Sequence, residues 1–176
     1  MVSLRLISLA TVLLISEAIA DECKLRNKEI CQLITDAHAS NEDGLKLMKG
    51  DLVGNGKKAL ELADKLVVAV LNATEEEIIA ALKEALKAEL SAFVQVKADC
   101  FRLGKSYSGA CDEILFEVSY VMGVLMHTIF EAHPDQQTKT KVDDILIGLI
   151  PSKLAHPASV YRIELHAAGK QVLELI

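Results

Sequence analysis

The apolar residues between positions 75 and 100 recur at helical spacing, and this periodicity restricts the possible folds more than any other feature of the chain. Ile79, Leu82, Leu86, Leu90 and Phe93 are spaced 3, 4, 4 and 3 residues apart, as along the contact seam of a helix bundle. No segment shows the apolar and polar alternation of a convincing strand. We therefore predict an all-α, single-domain bundle of five to six helices.

Punctuation residues set the expected helix boundaries. Longer helices are predicted at about residues 22–38, 57–71, 75–100, 111–132 and 157–176, with shorter ones at about 42–49 and 138–150. Three glycines and Asn55 in the stretch GDLVGNG predict a flexible connector at residues 50–56. Pro134 and Pro151 are expected to end the helices that precede them. The helix at 111–132 is apolar almost all round from Ile114 to Phe130 and is expected to be central.

The first twenty residues have the pattern of a secretory signal peptide. Arg5 precedes an apolar run, and Ala18 and Ala20 occupy the small-residue positions of a cleavage site. The competing interpretation, a membrane anchor, would need an apolar run of roughly 20 residues, and this run is shorter. We predict a cleaved signal at residues 1–20, one helical domain at 21–176, and a secreted, extracellular protein.

The charge of the chain restricts its partners. The formal net charge is −6, and removal of the predicted signal leaves it unchanged because Arg5 and Glu17 leave together. Nucleic acids and anionic membrane surfaces bind clustered Lys and Arg, so an acidic chain is not expected to bind either. Stable membrane insertion is not expected.

Four cysteines, Cys23, Cys31, Cys100 and Cys111, remain after signal removal. An even number in a secreted chain predicts two disulfides. If the first helix included Cys23, its Cα would lie about 12 Å from that of Cys31, too far for a bridge. We therefore expect both to reach Cys100 and Cys111. The alternative, Cys23 with Cys31 and Cys100 with Cys111, requires an unwound N-terminus.

The stretch LNATEEEII carries two signals at once. Asn72-Ala73-Thr74 fits the N-glycosylation pattern, and Asn72 is expected to carry a glycan in a secreted protein. Thr74 and Glu77 form a capping-box pair, which predicts that Thr74 caps a helix starting at Glu75. Both can hold, because glycan transfer to the nascent chain leaves the Thr hydroxyl free.

A search for catalytic and metal-binding patterns yields no constellation. The chain has no phosphate-binding loop of correct spacing, no HExxH motif, no nucleophile elbow and no closely paired zinc ligands. His127 and Glu131 are four residues apart but belong to a stripe with Glu117, Tyr120 and Val124, which reads as one helix edge. We expect no enzyme activity, catalytic residue, metal or cofactor.

The same helix edge suggests a binding pocket. If it faces a cavity, Glu117 and Tyr120 would supply the polar contacts of an apolar pocket. Its walls would be Phe93, Phe116, Met122 and Met126. We therefore predict a secreted, non-enzymatic carrier of a small, lipid-like hydrophobic ligand. The alternative is an extracellular protein-interaction module, such as an inhibitor, effector or cytokine-like bundle, with a solid core.

Two secreted helical families resemble parts of this pattern. The spacing of Cys23 and Cys31 and the segment ADCFRLGKSYSGA are loosely similar to plant invertase and pectin methylesterase inhibitors, which are four-helix bundles. The fourth cysteine departs from their pattern, because it follows the third by only eleven positions. Insect odorant-binding proteins are similarly helical and acidic, but their closely spaced middle cysteines are missing here. No site residue is transferred from either family.

Overall fold

A computed structural model describes residues 23–52, 54–104 and 109–176 of the protein. These ranges contain no strand and six α-helices: α1 (Lys28–Leu47), α2 (Asn55–Leu71), α3 (Ile78–Arg102), α4 (Ala110–Ala132), α5 (Gln136–Ala155) and α6 (Ala158–Leu175), with a short 3-10 helix at Gly50–Leu52. The predicted all-α bundle with two disulfides is confirmed. The predicted signal peptide lies outside the described residues.

Helices α1 to α4 form the core of the bundle. α1 packs against α2 and α4, and α3 packs against the same two helices, which closes a ring of four. α6 packs outside this ring on α3 and α4, and α5 lies against α4 and α6. α4 has the length and apolar composition of a membrane span. It packs, however, against α1, α3, α5 and α6, as predicted for a central helix.

α1 continues through the expected break between residues 38 and 42, so the prediction of two separate helices there was wrong. Two polar residues in this stretch face the interior and find partners on other helices. The Ser40 hydroxyl donates to Glu117 Oε2 at 2.6 Å, and the Asn41 amide donates to Glu89 Oε2 at 3.2 Å. Because each of these side chains finds a hydrogen-bond partner inside the bundle, the helix need not end.

The predicted flexible connector is partly helical. α2 begins at Asn55, and its Gly56 N–H donates to Asp99 Oδ2 of α3 at 2.8 Å. A Cβ on Gly56 would lie 2.9 Å from the Val96 Cα, so only glycine allows this close approach of α2 to α3. Gly56 therefore allows two helices to pack closely, whereas the sequence analysis interpreted it as part of a flexible connector.

The start of α3 also differs from its prediction. The helix begins at Ile78 instead of Glu75, and Thr74 is not its N-cap. Glu77 Oε2 instead accepts hydrogen bonds from the Thr74 N–H at 3.1 Å and the Thr74 hydroxyl at 3.0 Å. The predicted pair therefore forms, but it closes the turn before the helix.

Pro151 lies inside α5, although it was expected to end the helix. A proline removes one backbone donor and leaves the carbonyl four residues earlier, that of Ile147, without its usual partner. Ile147 is exposed, so water can satisfy that carbonyl and the helix continues to Ala155. This exposure is general along α5, which is a peripheral helix with one buried residue, Val142.

The disulfides join Cys23 to Cys31 and Cys100 to Cys111, each with a Cα–Cα distance of 6.0 Å. The expected cross-linked pairing was wrong because its premise, a helix including Cys23, fails: α1 begins at Lys28, capped by the Asn27 side chain. The preceding segment is extended, and the Lys24 N–H donates to the Leu71 carbonyl at 3.1 Å. This places Cys23 at the start of α3, whereas Cys100 lies at its end, about 30 Å along the helix.

The two bridges also bear on the compartment. Such disulfides form and persist in oxidising surroundings, and no cysteine among the described residues is free. The disulfides therefore indicate an extracellular or otherwise oxidising compartment.

Candidate functional site

A groove with a volume of about 510 Å³ runs along the outer side of α4, beneath the corner between α5 and α6. Its α4 floor extends from Phe116 to His127, which is about 16 Å of helix. The lining residues are Leu33, Phe116, Ser119, Tyr120, Gly123, Val124, His127, Lys153, His156, Ala158, Tyr161, Arg162 and Leu165. Its volume falls within the range of small-molecule sites.

The charged side chains of the groove cluster at the corner between α5 and α6. Lys153 and His156 come from the end of α5 and the connection, and Arg162 comes from the second turn of α6. Arg162 is buried, and its Nη1 donates to Asp112 Oδ1 at 2.6 Å. This end of the groove is therefore basic, although the chain as a whole is acidic.

Two tyrosines supply neutral hydroxyl groups. Burial raises the pKa of Tyr120, and the nearby Asp36 and Glu117 carboxylates raise it further. Burial also raises the pKa of Tyr161. Both side chains therefore stay protonated at physiological pH, and each can donate one hydrogen bond to a ligand.

The structure brings only two of the six predicted pocket residues, Phe116 and Tyr120, to this groove. Met122 and Met126 are fully buried in the core. The Glu117 carboxylate accepts a hydrogen bond from the Ser40 hydroxyl and does not line the groove. Phe93 stacks on the His166 ring with centroids 5.3 Å apart, in a shallow depression between α3 and α6.

Helix geometry explains this split. Successive residues turn by about 100°, so Met122 lies about 200° around α4 from Tyr120 and faces the opposite side. The methionines therefore fill the core between the helices and do not form the wall of a pocket. The predicted internal pocket among these helices and the C-terminal helix is thus occupied by side chains, and the open space lies on the outer face of α4.

The sequence analysis expected the C-terminal helix at the ligand site but named no residue on it, and so missed the part of the lining that α6 supplies. Tyr161, Arg162 and Leu165 line it at spacings of one and three residues, which shows that one face of α6 turns inward. Gly123 was also missed, and a Cβ placed on it would meet no atom within 4 Å. A glycine in the middle of an apolar helix was the one available signal for a depression in its surface.

His127 and Glu131, the pair considered for a metal, are 4.0 Å apart between Nε2 and Oε1. In the ranges that the structure covers, no three His, Cys, Asp or Glu side chains converge as metal ligands. His127 instead stacks on Phe130 with ring centroids 6.0 Å apart. Of the two residues, only His127 lines the groove.

A second polar cluster lies inside the four-helix core. Glu89 is fully buried on α3, and burial raises its pKa from 4.5 to about 8, although the hydrogen bond from Asn41 opposes this shift. Glu89 Oε1 and Asn41 Oδ1 find no partner among the described residues. Because Glu89 is closed off from solvent, it cannot meet a substrate, and we assign it to stability.

The neighbouring ion pair of this cluster joins α1 to α2. His38 Nδ1 lies 2.7 Å from Asp64 Oδ1, and this hydrogen bond raises the pKa of His38 against the opposing effect of burial. Asp64 also adds to the raised pKa of Glu89. The cluster therefore links three of the four core helices through ionisable groups.

Asn72, the predicted glycosylation site, is the C-cap of α2 and is exposed. Thr74, which completes the acceptor motif, is exposed as well. A surface position between two helices is compatible with a glycan, and its presence remains a prediction.

Comparison with known proteins adds no assignment to this geometry: no family model, curated protein or solved structure matches the chain.

Proposed function

We propose that this is a secreted, non-enzymatic binding protein that carries a small hydrophobic molecule in the groove between α4 and α6. The observation that carries the proposal is the groove itself, about 510 Å³ in volume and lined mainly by apolar and aromatic side chains. Sites for small ligands typically combine such walls with a few polar groups. Secretion is supported by the N-terminal signal pattern and by the two disulfides.

The position of the groove favours a carrier with a surface site. The core of the four-helix ring is filled by Met122, Met126 and their neighbours, which leaves the ligand space outside the ring. α5, which has a single buried residue, borders that space through Lys153 near its end. A weakly packed helix at the mouth of a groove can move with little loss of core contacts, so a ligand can enter without unfolding the bundle.

Filling the groove is expected to abolish ligand binding. Gly123→Phe places a ring on the groove floor, where a Cβ meets no atom within 4 Å. Titration with the neutral fluorescent probe N-phenyl-1-naphthylamine should show saturable binding to the native protein and a loss of at least about tenfold in affinity for this variant, because the ring occupies the apolar volume.

Gly148→Phe is the matched control. Gly148 is also a helical glycine whose Cβ would meet no atom within 4 Å, but it lies on α5 outside the groove. This variant should bind the probe as the native protein does. Equal binding by the Gly123→Phe variant, or no saturable binding by the native protein, would refute the proposal.

The second candidate function is a protein-interaction module. It is favoured by the outer face of α5, where Ile147, Ile150 and Leu154 are 54%, 55% and 83% exposed. Clustered apolar side chains on a surface often mark a contact with another protein. Because these residues lie apart from the groove, the Gly123→Phe variant would keep such an interaction, which separates the two functions.

A further inference from the structure

The ligand groove has an uneven distribution of charge along its length. Three of its basic residues, Lys153, His156 and Arg162, lie at the corner between α5 and α6, and no Asp or Glu is among its lining residues. The carboxylates nearest Tyr120 belong to Asp36 and Glu117, on the α1 side. One end of the groove therefore attracts negative charge, and the Tyr120 side repels it.

Carboxylates behind the lining lie close to two of these three basic side chains. Asp112 pairs with Arg162 at 2.6 Å, and Glu164 Oε1 lies 3.2 Å from His156 Nδ1. Lys153 is different, because it forms no ion pair within 4 Å in the part of the chain that the structure describes. The ammonium group of Lys153 is thus the available cation at the mouth of the groove.

The apolar remainder of the groove fits a hydrocarbon chain. Away from the corner its floor is formed by α4, which offers about 16 Å of length between Phe116 and His127. A wholly neutral ligand would leave the cationic corner without a counterpart, whereas a wholly polar one would meet too few hydrogen-bonding groups along the floor.

We infer that the groove takes an anionic amphiphile, with its alkyl chain along α4 and its acidic head group at Lys153. This inference rests on the proposed carrier function and adds the class of ligand. Arg162 supplies a second donor group at the same corner, because among the described residues only Asp112 accepts a hydrogen bond from its guanidinium, at 2.6 Å, and the group has five N–H donors. Lys153 is the residue that selects the acid over a neutral molecule of equal length.

Displacement of N-phenyl-1-naphthylamine by dodecanoate and by dodecanol tests the inference. The two competitors share one alkyl chain and differ in head-group charge. Dodecanoate should displace the probe from the native protein at a lower concentration than dodecanol, by up to about fivefold, because an ion pair at an exposed site adds at most about that factor. Lys153→Glu should remove this preference.

Lys141→Glu is the control, because Lys141 is exposed on the same helix but does not line the groove. It makes the same change in net charge and should keep the preference for dodecanoate. Equal displacement by both competitors, or a preference that survives Lys153→Glu, would overturn the head-group assignment and leave the carrier function standing. Failure of both competitors to displace the probe, or of the probe to bind, would overturn the inference together with the carrier function.

Discussion

Replacing Glu89 with glutamine is expected to stabilise the protein at pH 8 by on the order of 3 kcal/mol. Burial raises the pKa of this carboxyl from 4.5 to about 8, so the folded protein keeps a proton that the unfolded chain releases. Glutamine has nearly the same shape, keeps an oxygen for the Asn41 amide and never ionises. The free energy of unfolding, measured by urea denaturation between pH 5 and 8.5, checks the expectation.

The direction of the pH dependence follows from proton binding. Between pH 4.5 and about 8 the folded state holds one more proton at Glu89 than the unfolded state, so stability falls as pH rises. His38 acts in the same direction, because Asp64 raises its pKa and the stability gained is lost as pH rises through the folded value. Glu89→Gln should remove the larger part of the slope and leave the part due to His38.

Glu84→Gln is the control for this prediction. Glu84 is exposed on the same helix, and its replacement makes the same chemical substitution, a carboxyl group by an amide, without altering the core. Its stability should follow the pH dependence of the native protein. A Glu89→Gln variant with the native slope, or with no gain in stability at pH 8, would contradict the assignment of a buried, protonated carboxyl.

Loss of the second disulfide is the other change with a large expected effect. The Cys100→Ser, Cys111→Ser double variant should be about 3 kcal/mol less stable than the native protein, because the bridge closes a loop of 11 residues in the unfolded chain. The Cys23→Ser, Cys31→Ser variant should lose slightly less, since its loop spans 8 residues. Urea denaturation under non-reducing conditions measures both.

Tryptic digestion without reduction tests the pairing on which these values depend. Cleavage at Arg102 and Lys105 separates Cys100 from Cys111, and the described pairing then joins peptide 98–102 to peptide 106–139. Peptide 29–46, which contains Cys31, should be joined to the peptide ending at Lys24. A linked species of peptides 29–46 and 98–102 would show the cross-bundle pairing and contradict the structure.

The fold was largely predictable from the sequence because helical periodicity is a local signal. The apolar stripe of residues 79–93 predicted α3 without knowledge of its neighbours. The failures occurred where a distant residue decides local structure. Asn41 stays inside α1 because Glu89 accepts a hydrogen bond from its side-chain amide. α2 starts early because Asp99 accepts a hydrogen bond from the Gly56 N–H. Neither contact has a signature in sequence.

Glu89 shows a different reason for failure. It lies three residues after Leu86 and four before Phe93, so the periodicity places it on the buried face. The sequence analysis did not assign it to the core, because the stripe was defined by apolar residues alone. The groove was less predictable still, because α4 and α6 form it together and their packing depends on the whole bundle.

The central claim is that the protein carries an apolar small molecule, and mass spectrometry of the protein secreted from eukaryotic cells tests it most directly. Spectra are recorded under native and denaturing conditions, before and after incubation with excess dodecanoate. We expect additional mass, on the order of a few hundred daltons, that leaves on denaturation and is absent from the Gly123→Phe variant. The same mass under native and denaturing conditions, even after incubation with dodecanoate, would contradict the account.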